Sequence, residues 1–146
     1  MIGAGSQLLK APRVLREPMT ADQDPARLNN RHRRQHMSIR TIDPNFHVTG
    51  QIKPGAMQDV ARLGYKTVIC MRPDKEGFFQ PTFAELEMAA KAVGIKAHYI
   101  PVVPGAITPA DLSALKAVLS ETSGPVLAYC ASGNRCASAF EMCKRA

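Results

Sequence analysis

The chain contains no tryptophan, and aromatic residues make up only 5% of its 146 positions. None of them falls within the first 36 residues, although that stretch carries seven Lys and Arg against three Asp and Glu. Single-stranded nucleic acid is gripped by cations interleaved with stacking rings, so a nucleic-acid role is not expected. Long apolar runs are missing too. Nothing approaches the ~18 consecutive apolar residues of a spanning helix, so no membrane partner is expected. The N-terminus has no apolar core of a secretory leader. Cysteine is scarce: the four at positions 70, 130, 136 and 143 have neither the density of a disulfide scaffold nor the paired spacing of a zinc site. A reducing, cytoplasmic setting is therefore expected, with no metal and no cofactor. There is no internal repeat.

What is present fits one globular domain. Apolar content is 45% and the net charge is +7. The charge is uneven, because residues 1–36 hold more than half of it. Pro12, Pro18 and Pro25 interrupt any helix there. We read 1–36 as a basic disordered extension, Met37 as the natural start, and 37–146 as the domain.

From Phe46 onward, strand-like and helix-like stretches alternate. Phe46–Gly50 reads as a strand. A short helix from Pro54 carries Met57, Val60 and Leu63 and stops at Gly64. Lys66–Met71 has the continuous apolar character of a buried strand. Thr82 and Glu85 form a capping box for a helix ending at Gly94. Lys96–Val103 is the next strand. Thr108, Pro109 and Asp111 open a further helix, and Val126–Tyr129 is the last strand. Strands alternating with helices predict an α/β fold: three layers, with a mostly parallel central sheet flanked by helices. In such a sheet the strand C-termini share one edge, where ligands bind. The loop from Arg72, the Pro101–Thr108 loop and Cys130 would all meet there.

The stretch 125–145 carries the chemistry. A buried-type strand runs into Cys130-Ala131-Ser132-Gly133-Asn134-Arg135-Cys136, and Ala137–Arg145 has helical spacing. A cysteine between a strand end and a helix N-terminus sits in a positive field made by loop amides and the helix dipole. Such a field lowers a thiol pKa from about 8.5 by roughly two units or more, which makes the nucleophilic thiolate the main species. Cys130 is thus the candidate nucleophile. Gly133 allows a positive φ or close approach of an anion. Arg135 offers a planar fork to that anion. The anion-binding loop is taken as residues 131–136, for a small anionic substrate. Cys70 and Cys143 read as core residues, and His47 and His98 as structural.

Cys130-x-Ser132-Gly133-Asn134-Arg135 resembles the active loop of single-domain rhodaneses, which are sulfurtransferases. Residues 37–145 as a whole resemble the phosphatase-like domain of the beta-lactamase-hydrolase-like proteins, a bacterial branch of the tyrosine and dual-specificity phosphatase fold. The residues that carry this match are Ser38-Ile39-Arg40, Phe46–Ile52, Thr67–Ile69, Arg72-Pro73-Asp74, Ile100–Thr108, Gly124–Cys130 and Ser132–Arg135. The resemblance implies a dual-specificity-phosphatase-like fold and a covalent intermediate on Cys130. Two activities remain open. One is rhodanese-type sulfur transfer through a persulfide, from thiosulfate or a persulfide donor. The other is hydrolysis of a phosphoester through cysteinyl-phosphate. A third reading is a catalytically weak binding module.

Two features tilt the expectation to sulfur transfer. The phosphatases of this fold place five residues between cysteine and arginine, whereas here there are four, as in rhodaneses. Phosphatases also need an acid for the leaving group, yet the Pro101–Thr108 loop has no carboxylate. Asp111 reads as a helix cap. Asp74 is the remaining candidate, as acid or as a brace for Arg135. By resemblance, a metallo-beta-lactamase-like persulfide dioxygenase would be the partner in sulfide detoxification. The sequence also departs from its relatives. Ala131 stands where a second Arg is common, and Cys136 stands where Ser or Thr is expected. Cys136 could donate a hydrogen bond to the thiolate or resolve it as a disulfide. Only ten residues follow Cys136, so the C-terminus reads as truncated, which would leave part of the sheet uncovered and favour marginal stability or dimerisation.

Overall fold

The computed structural model describes residues 37–145. The expectations for the basic extension at 1–36 fall outside the described residues.

Five strands form one sheet: β1 (Arg40–Asp43), β2 (Phe46–Thr49), β3 (Thr67–Cys70), β4 (Lys96–Tyr99) and β5 (Val126–Tyr129). Their spatial order is β1-β2-β5-β3-β4. β1 pairs with β2 antiparallel, and every other pairing is parallel. The expected α/β architecture with a mostly parallel sheet is therefore what the chain adopts. The antiparallel edge strand β1 was not anticipated. Arg-Thr-Ile-Asp has no apolar alternation, and its first two residues are exposed, so it gives no strand signal.

Alternation along the central strands sorts side chains to two faces. Val126, Ala128 and Cys130 join one core with Phe46, Val48, Ile69 and Met71. Leu127 and Tyr129 join the other with Val68 and Cys70. Every residue of β3 and β5 is buried, as parallel strands covered on both faces require.

Among the described residues four helices provide that cover: α1 (Met57–Arg62, entered by a 3₁₀ turn at Pro54–Ala56), α2 (Phe83–Ala92), α3 (Pro109–Glu121) and α4 (Asn134–Arg145). α1 and α2 contribute Met57, Val60, Leu86 and Ala90 to one core. α3 and α4 contribute Leu115, Val118, Ala139 and Phe140 to the other. Phe140 stacks on Phe46 with ring centroids 4.4 Å apart. Burying a side chain of this size is worth about 1.5–3 kcal/mol. The central strands are thus covered, and the bare sheet inferred from the short C-terminus does not occur at β3 or β5.

The expected capping box forms at Thr82, and the expected cap at Thr108 proves to be a second box. Thr82 Oγ1 accepts from Glu85 N–H, and Glu85 accepts from Thr82 N–H. Thr108 and Asp111 do the same for α3. Two boundaries move by three residues or more. β4 ends at Tyr99, short of Val103, because Pro101 has no N–H to donate to a ladder. The chain nevertheless stays beside β3, through Ile100 N–H to Cys70 O at 2.8 Å and Val102 N–H to Met71 O at 3.2 Å. α4 begins at Asn134, three residues before the expected start, so the loop winds directly into it.

Candidate active site

The parallel pairing brings the ends of β2, β3 and β5 to one edge, and Cys130 follows β5 there. Its N–H reaches Thr49 O at 3.4 Å. Gly133 then takes φ +93 and turns the chain back over the sulfur. Gly133 N–H donates to Cys130 Sγ at 3.0 Å. The turn leaves no room for side chains: a Cβ on Gly133 would lie 2.9 Å from Arg40 Nη2 and 3.3 Å from the Thr49 backbone. A Cβ on Gly50 would lie 3.0 Å from Ala131 O.

Cys130 is 1% exposed. Its thiol is nevertheless pulled down to about 5, first by the hydrogen bond from the Cys136 thiol, against the cost of burial, and then by backbone N–H groups of Cys136, Ser132 and Gly133. A buried anion survives because every donor around it favours the charged form. Cys136 is driven the other way: burial, together with the neighbouring Cys130, pushes its thiol well above the ordinary range. It therefore keeps its proton and acts as donor to the Cys130 sulfur.

Arg135 lies in the first turn of α4, where the helix dipole opposes a cation. Its neighbours hold it there. Nη1 donates to Val102 O at 2.9 Å and to Glu76 Oε2 at 3.1 Å, and Nη2 donates to Glu76 Oε1 at 3.1 Å. Glu76 also accepts from Arg72 Nε at 2.8 Å, and Arg72 Nη1 donates to Gln51 Oε1 at 3.0 Å. Burial works against the Glu76 carboxylate, but the bonds from Arg135 and Arg72 prevail and hold it below the usual range. The two-point clasp uses one edge of the Arg135 guanidinium. The other edge, Nε–H and the second Nη2–H, is left by the described residues for an anion.

Asp74 is elsewhere. Its Oδ1 accepts from Phe83 N–H at 2.8 Å, and its own N–H donates to Tyr99 Oη at 3.0 Å. It ties the loop to α2, and the bracing of Arg135 falls to Glu76. Asp111 Oδ2 is bound to Thr108 N–H at 2.9 Å. Ser132 Oγ accepts from Asn134 N–H at 3.3 Å, so its hydroxyl shapes the loop. An open groove of about 510 Å³ leads off the loop between Ser132, Asn134, Arg135, Ser138 and Met142 on one side and Pro104–Ile107 on the other. His47 bonds to Tyr65 Oη at 2.7 Å, and Cys143 donates to Leu112 O at 3.6 Å, both in packing roles.

Sequence reasoning missed Glu76 and the role of Arg40, which donates to Asn134 Oδ1 at 2.9 Å and Ser132 O at 3.4 Å. An acid 59 residues from its arginine leaves no periodic trace. The one available hint was an arginine at a helix N-terminus in need of a counter-charge. Among the described residues no group of His, Cys, Asp and Glu could hold a metal ion, and no helix is long and apolar enough to cross a membrane.

Residues 38–146 match the family described as "Beta-lactamase hydrolase-like protein, phosphatase-like domain". A beta-lactamase hydrolase-like protein of Xylella fastidiosa (strain Temecula1) is 34% identical over 99 residues, covering 68% of this chain and 23% of that protein. One from Agrobacterium fabrum is 34% identical over 94 residues, covering 64% and 22%. The chain thus spans about a quarter of the length of these relatives. Among solved structures, a "putative phosphatase (nma1982)" of Neisseria meningitidis superposes with a TM-score of 0.65 at 32% identity, covering 71% of this chain and 74% of that one. A second, from Shewanella putrefaciens, has a TM-score of 0.68 at 18% identity, covering 80% and 75%, and shares the fold. By sequence and by fold, the chain belongs to the phosphatase-like domain family of the beta-lactamase hydrolase-like proteins.

Proposed function

We propose that this chain is a cysteine-dependent phosphomonoester hydrolase working through cysteinyl-phosphate on Cys130. The observation that carries the reading is the Cys130 sulfur enclosed by the loop, with Gly133 N–H on it at 3.0 Å and the Cys136 thiol and further backbone N–H groups holding its pKa down to about 5. The phosphoryl oxygens would lie on the loop amides and on the open edge of Arg135. Cys130 Sγ attacks phosphorus in line, forming the S–P bond as the P–O bond to the leaving group breaks. Water then attacks phosphorus, forming a new P–O bond as the S–P bond breaks; phosphate departs carrying the water's protons, and the Cys136 S–H donates to the returning thiolate. Asp74, Glu76 and Asp111 are all engaged in bonds of their own. With none of the three placed as acid, substrates whose leaving oxygen is a weak base, such as aryl phosphates, are favoured.

Sulfur transfer is the second reading. It is favoured by the four-residue spacing, and by the fact that a departing sulfite or thiolate needs no acid. A persulfide dioxygenase as working partner belongs to this reading alone. The test uses purified protein and Cys130→Ser, each given p-nitrophenyl phosphate and, separately, thiosulfate with cyanide. Cys130-dependent phosphate release supports the first reading. Cys130-dependent thiocyanate alone replaces it with the second. Silence of the folded protein in both assays leaves the weak binding module.

A further inference from the structure

The peptide unit joining Ser132 to Gly133 is held at both ends. Its N–H, from Gly133, points inward to Cys130 Sγ at 3.0 Å. Its carbonyl, from Ser132, points outward and accepts from Arg40 Nη2 at 3.4 Å. The same nitrogen donates to Asn134 Oδ1 at 2.9 Å. Arg40 stands at the start of β1, 92 residues before Ser132, and is exposed apart from these contacts.

A loop that turns its amides in must turn its carbonyls out. Water satisfies an outward carbonyl but does not orient it, and the peptide can rotate its N–H off the sulfur. A guanidinium on the oxygen resists that rotation. It also polarises the amide, which strengthens the donor at the far end. The packing is close, since a Gly133 Cβ would fall 2.9 Å from Arg40 Nη2. Ala131 brings no charge to the loop, so Arg40 is a cation delivered from another strand.

We propose that Arg40 is a positioning residue for Cys130, holding the Ser132–Gly133 peptide with its N–H on the nucleophilic sulfur. This rests on Cys130 being the nucleophile, which the phosphatase and sulfurtransferase readings share. The other groups acting on the sulfur are the Cys136 thiol and N–H from α4 and the Ser132 N–H.

The experiment follows the rate of Cys130 alkylation by iodoacetamide against pH, in the full chain and in variants, with the site of alkylation read by mass spectrometry. It needs no substrate, so failure of the phosphatase reading leaves it intact. Arg40→Met should raise the midpoint by about half a unit to one unit, which slows alkylation roughly three- to tenfold on the acid side. Arg40→Lys, which restores a cation within reach of the carbonyl, should recover part of the shift. Arg62→Met, which removes a cation paired with Asp59 on α1 and outside the loop, should keep the wild-type midpoint. An unchanged midpoint in Arg40→Met overturns the proposal, as does an equal shift in Arg62→Met. If Arg40→Met does not fold, Arg40→Gln takes its place, and an unchanged midpoint there is equally fatal.

Discussion

Cys70 and Cys130 stand at the ends of adjacent parallel strands, and Cys70 pairs in register with Tyr129, the residue just before Cys130. Both are buried. Their thiols nonetheless move in opposite directions. Burial pushes Cys70 up, outweighing its hydrogen bonds with the Tyr129 side chain and the Arg72 backbone. Cys130 is held near about 5, led by the Cys136 thiol. The chain after Cys70 turns a carbonyl toward the sulfur, and Cys70 Sγ donates to Arg72 O at 3.3 Å, which requires the proton. The chain after Cys130 turns N–H groups toward it, which favours losing the proton. The comparison teaches that neither burial nor a strand end makes a nucleophile. What does is a set of donors strong enough to outweigh burial, here the Cys136 thiol first and the loop N–H groups after it.

The largest effect separates the two cysteines outright. Cys130→Ser should lower phosphate release from p-nitrophenyl phosphate by about 10³-fold or more, since a serine hydroxyl has no anion at neutral pH. Cys70→Ala should leave kcat within about threefold and cost about 1 kcal/mol of stability, read as a Tm lower by about 5 °C. Loss of turnover in Cys70→Ala with an unchanged melt would break the contrast.

Next comes the peptide geometry itself. Gly133→Ala puts a methyl group where φ is +93 and where Arg40 Nη2 and the Thr49 backbone stand 2.9 and 3.3 Å away. The loop must open, the Gly133 N–H leaves the sulfur, and kcat/KM should fall about 100-fold, with about 1–3 kcal/mol lost in chemical denaturation. Gly64, with φ +102 but nothing within 4 Å of a Cβ, should lose stability on the same substitution and keep its activity.

A smaller effect belongs to Glu76→Gln. An amide oxygen accepts more weakly than a carboxylate and cannot clasp Arg135 at two points. We expect kcat/KM to drop about tenfold, through KM more than kcat, while the pH midpoint of Cys130 alkylation stays near about 5. A midpoint that moves with Glu76 would mean that the ion pair, and not the loop amides, sets the sulfur's charge.

Local chemistry made part of this legible from the sequence, and distance hid the rest. The helix caps at Thr82 and Thr108, the exact span of β5 and the cysteine–glycine–arginine loop are encoded within a few residues each, so pattern and spacing suffice. The Glu76–Arg135 clasp and the Arg40–Ser132 contact join residues 59 and 92 positions apart. Each is made by an exposed or half-exposed charged side chain that no periodicity distinguishes from a solvated one. Asp74 shows the converse: it lies on the right loop, but its carboxylate is taken by Phe83 N–H, which only coordinates reveal.

The finest separation of the two cysteines is thermodynamic. An unfolded thiol titrates near about 8.5. Between that value and about 5, the unfolded chain holds a proton at Cys130 that the folded chain has released. Folding then gains as pH rises: the Cys130 contribution is complete above about 8.5 and disappears as pH falls through about 5. Cys70 is raised, so it adds no slope in this window, and its own contribution declines only above about 8.5. Denaturant unfolding at several pH values between about 5 and 8 should therefore show wild type gaining on Cys130→Ser as pH rises, while Cys70→Ala runs parallel to wild type. A constant gap between wild type and Cys130→Ser would mean that the folded sulfur keeps its proton, and the two strand ends would then be chemically alike.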